Sequence, residues 1–167
     1  MIRQKKVKTG DIMAKYTVVD NNPESKSEKR VRYFLAFLYF LQVLLTTIPF
    51  MQGEVEDGKY GTITPLQMLI QTDGYHSAKE VYLAIIGGLL IILPIVAFFF
   101  CLLDGKSAIK YIFSAASVVI TSVIITFIIG RMISIGALIF LVINLVCLFM
   151  TMQGFQATRA RRAQAKD

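Results

Sequence analysis

Residues 108–152 read AIKYIFSAASVVITSVIITFIIGRMISIGALIFLVINLVCLFMTM, 45 mostly apolar positions broken at their centre by Gly130-Arg131. A helix crossing the roughly 30 Å of bilayer hydrocarbon needs about 20 apolar residues at about 1.5 Å each. Soluble proteins have no use for so long a run. The stretch therefore divides into two crossings, 108–129 and 132–152, with Gly130-Arg131 as the turn of a tight helical hairpin. Arg131 is expected at the membrane interface, with its head among lipid headgroups and its stem along the helix ends.

Composition points the same way. The chain has 167 residues, of which 55% are hydrophobic and 17% charged, the proportions of a small membrane protein. A net charge of +7 would suit nucleic acid in a soluble domain. Here the basic residues flank apolar spans, where chain orientation and anionic headgroups account for them, so no nucleic-acid partner is expected. Cys101 and Cys147 fall within or beside spans and act as small apolar residues, without a disulfide framework.

Two more apolar blocks precede the hairpin. Residues 81–103 form a second-span candidate with Gly87-Gly88 in its first half and Pro94 at its centre. A proline there frees a carbonyl that a neighbouring group must satisfy, and predicts a kink. Ala84 and Gly88 have the small-xxx-small spacing that lets another helix approach closely. Residues 33–51 form the first span, interrupted only by Gln42 and Thr46-Thr47, and no signal-peptide cleavage pattern follows Pro49. The fold expected is an all-α integral membrane protein with four transmembrane helices in a small bundle.

The polar segments complete the layout. Residues 1–32 carry nine Lys or Arg against four Asp or Glu and have no apolar period, so they read as a disordered basic tail. Met13 offers a second start, which would leave residues 1–12 outside the native chain. The 52–80 loop inverts the charge, with two Lys against five Asp or Glu. Within it, Thr64-Pro65 predicts a short helix with threonine as N-cap and proline at its first position, stopping at Asp73-Gly74. Leu66, Leu69 and Ile70 are expected to share one face of it. A basic tail, 153–167, carries Arg159, Arg161 and Arg162, expected at lipid headgroups.

Lysines and arginines in alternate segments total fifteen on the side of the tails and three on the other, which predicts cytoplasmic termini and an outward 52–80 loop. The location expected is the cell membrane.

Candidate site residues are few. Ser114, Ser117 and Thr121 form a hydroxyl stripe on one face of the third span, and Asn144 sits at the middle of the fourth. These, with Ala84, Gly87, Gly88 and Pro94, are either helix-packing residues or the lining of a path. Asn144 is expected to bond across to Ser117, Thr121 or the carbonyl freed by Pro94. His76 is the single histidine, and the chain has no CxxC, HExxH, GxSxG, Walker A or GxGxxG motif. No ionisable residue lies mid-span, which argues against a pump or ion-coupled transporter.

The expectation is a non-enzymatic accessory subunit or self-associating scaffold with no cofactor. Its partners would be the bilayer, with anionic headgroups at the cytoplasmic face, and another membrane protein or further copies of itself. The alternatives are a small oligomeric channel or exporter, and an integral membrane enzyme.

Overall fold

The computed structural model describes residues 25–56, 59–70, 78–103 and 108–164. Helix α1 spans Lys26–Leu45, and strands β1 (Met51–Glu56) and β2 (Lys59–Ile63) follow. Next come a short helix α2 (Pro65–Leu69), then α3 (Ala78–Leu103), α4 (Ile109–Val123) and α5 (Ile135–Gln164). Among the described residues, three segments are long and apolar enough to cross a membrane: Val81–Leu103, Ile109–Phe127 and Ile135–Arg161. The chain is a mostly helical protein of membrane type.

Helix α1 differs from the expected first span. It starts at Lys26, inside the segment expected to be disordered, because Ser25 and Glu28 form a reciprocal capping box: the Glu28 amide donates to Ser25 Oγ at 3.2 Å and the Ser25 amide to Glu28 Oε2 at 2.9 Å. The remainder of that tail, 1–24, lies outside the described residues. The helix ends at Leu45, where the hydroxyls of Thr46 and Thr47 donate to the carbonyls of Val43 and Leu44. Its apolar helical part, 33–45, is thus about 20 Å long.

One seam of buried positions alternates at intervals of three and four along the helices, flanked by further buried residues such as Val31, Ala36, Ile86 and Val118. The seam positions are Glu28, Arg32, Leu35, Tyr39, Gln42 and Thr46 in and just beyond α1, and Leu90, Pro94, Ala97 and Cys101 on α3. On α4 they are Lys110, Ser114, Ser117 and Thr121, and on α5 Ala137, Phe140, Asn144, Cys147, Thr151, Gly154 and Thr158. This average of 3.5 is the seam of a left-handed bundle. Helix α1 packs chiefly on α3 and α5, as does α4, so α1 and α4 face each other across the bundle axis.

The end of the bundle beyond Leu45 carries a β-hairpin where a loop with one short helix was expected. Strands β1 and β2 pair antiparallel, from Met51 opposite Ile63 to Glu56 opposite Lys59, with an irregularity between Glu54 and Glu56. The base of the hairpin is tied down by backbone bonds: the Phe50 amide to the Ile63 carbonyl at 2.9 Å, Ser134 to Phe50 at 2.9 Å and Gly136 to Pro49 at 3.1 Å. The last two bonds satisfy amides at the N-terminal end of α5, which would otherwise lack helical partners. Gly136 permits this approach, since a Cβ there would lie 2.5 Å from the Pro49 oxygen.

The turn between the last two spans is longer than Gly130-Arg131. Helix α4 continues as a wider π-helical segment, Ile124–Ile129, then tightens to a 3₁₀ turn, Gly130–Met132, before α5 begins at Ile135. At 30 residues α5 is about 45 Å long. It therefore outruns the roughly 30 Å hydrocarbon core, and its last turns belong to the segment expected to be a tail.

Candidate functional site

A ladder of polar side chains descends through the bundle from its middle to the end that carries both described termini. At mid-bundle, Gln42 Nε2 donates to Asn144 Oδ1 at 2.8 Å, and Asn144 Nδ2 donates to both Thr121 Oγ1 and Ser122 Oγ at 2.9 Å. Helices α1, α4 and α5 are thus joined through one asparagine. Further down, the hydroxyls of Tyr39 and Ser114 bond to each other across the axis, and Ser114 Oγ meets Thr151 Oγ1 at 2.6 Å. Thr121 and Thr151 also donate to carbonyls four residues back, those of Ser117 and Cys147, at 2.7 Å each.

Near the lower end the ladder becomes ionic. Glu28 is 2% exposed and its Oε2 forms an ion pair with Arg161 Nη1 at 3.5 Å. Arg32 Nη1 donates to the carbonyls of Cys101 at 3.1 Å and Leu102 at 2.9 Å. It caps the end of α3, whose last carbonyls have no helical partner. Lys110 is also buried, with its Nζ 5.1 Å from the centre of the Tyr111 ring. Tyr111 packs against α5 at Gly154, where a Cβ would collide with its ring carbons.

The upper end of the ladder is closed by apolar side chains. Phe50, Met68, Ile125, Ala137 and Phe140 are all fully buried there, with Phe50 set edge-on to Phe140 at 5.3 Å. The cap is completed by α2, which begins at Thr64 with a second reciprocal box to Gln67. It is seated on α3 at Gly87, where a Cβ would lie 2.6 Å from the Pro65 oxygen and 2.8 Å from Met68 Cβ.

Several expected site residues are brought together and others are not. Ser114, Ser117, Thr121 and Asn144 all point inward, and Asn144 takes Thr121 as a partner as expected, but not Ser117. Gly87 and Gly88 receive the short loop helix instead of another spanning helix, while Ala84 is only half-buried. Pro94 is buried and α3 continues through it to Leu103. On α2, Pro65 and Met68 are buried and Leu69 is half-buried, while Leu66 and, just beyond the helix, Ile70 are exposed; the expected stop at Asp73-Gly74 lies outside the described residues.

Among the arginines expected at headgroups, Arg159 is exposed but Arg161 turns inward to Glu28, because the buried seam of α5 continues through Gly154 and Thr158 to it. The side chains of Arg131 and Arg162 lie outside the described residues. Gln42, Tyr39 and Thr151, which complete the ladder, were not among the expected site residues. Their spacing of three and four relative to other core positions was the available signal.

The ladder joins its helices through hydrogen bonds between side chains and to backbone carbonyls. Among the described residues no set of three His, Cys, Asp or Glu side chains is grouped to hold a metal ion. No protein-family model, no curated protein and no solved structure matches the chain.

Proposed function

We propose that this protein is a four-span, non-enzymatic component of the cell membrane, acting as an accessory subunit or self-associating scaffold. In this reading α1 is the fourth crossing, both termini are cytoplasmic, and the β-hairpin with α2 forms an outward cap. Support for α1 as a crossing comes from its bonds at both ends of the bundle, Arg32 to the end of α3 and Phe50 to the start of α5. The short helical span is extended by residues 46–50, whose backbone groups find partners within the protein, as apolar surroundings require.

The observation that carries the functional reading is the closure of the hydroxyl stripe. Ser114, Ser117 and Thr121 are 0–3% exposed, and Ser114, Thr121 and Asn144 are bonded to neighbouring helices. Such contacts hold three helices, α1, α4 and α5, in one register without lining a wet path. Large apolar side chains point outward along the apolar spans, including Phe34, Phe37, Phe40 and Leu44 on α1. They suit lipid or a second membrane protein.

Affinity purification of the tagged full chain in mild detergent is the test. A stoichiometric foreign membrane protein, or a homo-oligomer without flux in liposomes, is the result expected. A homo-oligomer that conducts ions or passes solutes in liposomes would replace this reading with that of a channel or exporter.

A further inference from the structure

We infer that the bundle binds one ordered water molecule on its axis, between Gln42 Oε1 of α1 and Ser117 Oγ of α4. Both atoms are buried and have no hydrogen-bond partner, in residues 0% and 3% exposed. Polar atoms shut away from solvent without a partner are uncommon, and a bound water is their usual complement.

Register brings the two atoms to one level. Helices α1 and α4 run in the same direction on opposite sides of the axis. Tyr39 bonds across that axis to Ser114, and Gln42 and Ser117 each lie three residues further along their own helix. Equal rise per residue sets this second pair level with one another, one step towards the outer end. Glutamine is shorter than tyrosine, so at the same helix separation its head stops short of the serine. Its Nε2 is committed to Asn144 at 2.8 Å, which leaves Oε1 to accept from another group. A water can donate one proton to Gln42 Oε1 and bond Ser117 Oγ through its remaining capacity, making a second tie between α1 and α4.

The chemistry selects water over a metal ion. Gln42 and Ser117 supply two neutral oxygens and no carboxylate, whereas a desolvated cation in an apolar surround needs more ligands and a compensating charge. The inference concerns how the bundle is held and does not depend on the partner proposed above.

Equilibrium unfolding of the full chain in bicelles provides the test, using wild type, Gln42→Met, Ser117→Ala and the double variant. Ser117→Ala should raise the unfolding constant about threefold in the wild-type background and leave it unchanged beside Gln42→Met, as expected for two residues coupled through one bridge. An equal effect in both backgrounds would overturn the inference. An experimental structure fine enough to show waters reads the wild type directly, whatever the variants do. A peak within hydrogen-bond reach of both atoms is expected; a Ser117 hydroxyl bonded to the Phe113 carbonyl, with no peak, contradicts it. Saturable stabilisation by Na⁺ or K⁺ that Gln42→Met abolishes would assign the position to a cation and equally reject water.

Discussion

Asn144 is the residue on which the middle of the bundle turns. It accepts from Gln42 and donates to Thr121 and Ser122, so replacing it by leucine removes three bonds at once and leaves the Gln42 amide buried without its acceptor. Interhelical hydrogen bonds in membranes average about 0.6 kcal/mol and reach about 1.7 kcal/mol. Asn144→Leu should therefore cost roughly 1–2 kcal/mol in an unfolding titration in detergent, with helix content retained. A variant as stable as wild type would remove Asn144 from the packing core. The importance of Asn144 was legible in the sequence because an amide amid Ile, Val and Leu is conspicuous. Gln42 was not, since it read only as an interruption in a marginal span; its role depends on the meeting of helices a hundred residues apart. Tyr39 was still less visible, because its ring suits an apolar core and only its hydroxyl enters the ladder.

Among the elements, α2 and the hairpin show how glycine sets contact between backbones. Gly87 receives Pro65 and Met68 at distances no Cβ allows, and neither neighbour is a flexible side-chain tip. Gly87→Ala should lift α2 from α3 at a cost of about 1–3 kcal/mol. Hydrogen exchange should then quicken at the α2 amides while those of α4 and α5 keep their protection; unaltered α2 exchange would mean that the helix is seated elsewhere. The helix itself was legible from Thr64-Pro65, but its buried face was not, because burial of Met68 depends on the glycine beneath it. For the hairpin a signal did exist. Asp57-Gly58 is a favoured turn dipeptide, and the flanking segments are strand-length. In a chain dominated by spanning helices it passed as an acidic loop.

The C-terminal end of α5 offers a prediction of the same kind. Arg161→Met leaves the buried Glu28 carboxylate without its ion-pair partner, so thermal stability should fall, and Glu28→Gln in that background should recover part of the loss, since removing the stranded charge removes its desolvation cost. Additive losses in the two variants, read as melting temperatures in detergent, would show that the pair is not coupled. This contact was hidden in the sequence because basic residues after a span ordinarily read as headgroup-facing. Only the continuation of the α5 seam through Gly154, Thr158 and Arg161 turns one of them inward.

At the scale of the whole molecule, three helices among the described residues are long and apolar enough to cross a membrane, and a fourth crossing rests on α1. Its apolar stretch is short, its first turns are charged, and its outer end is completed by non-helical backbone bonded to α5. If α1 crosses, its start and the beginning of β1 lie on opposite sides of the membrane, while its start and the end of α5 lie on the same side. Cys101 and Cys147 are fully buried, so the native thiols can remain while single cysteines are introduced at three exposed positions, Lys29, Gln52 and Ala163. An impermeant maleimide applied to intact cells should label Gln52→Cys at once, and Lys29→Cys and Ala163→Cys only after permeabilisation. Labelling of Lys29→Cys together with Gln52→Cys from outside would contradict a four-span bundle with cytoplasmic termini.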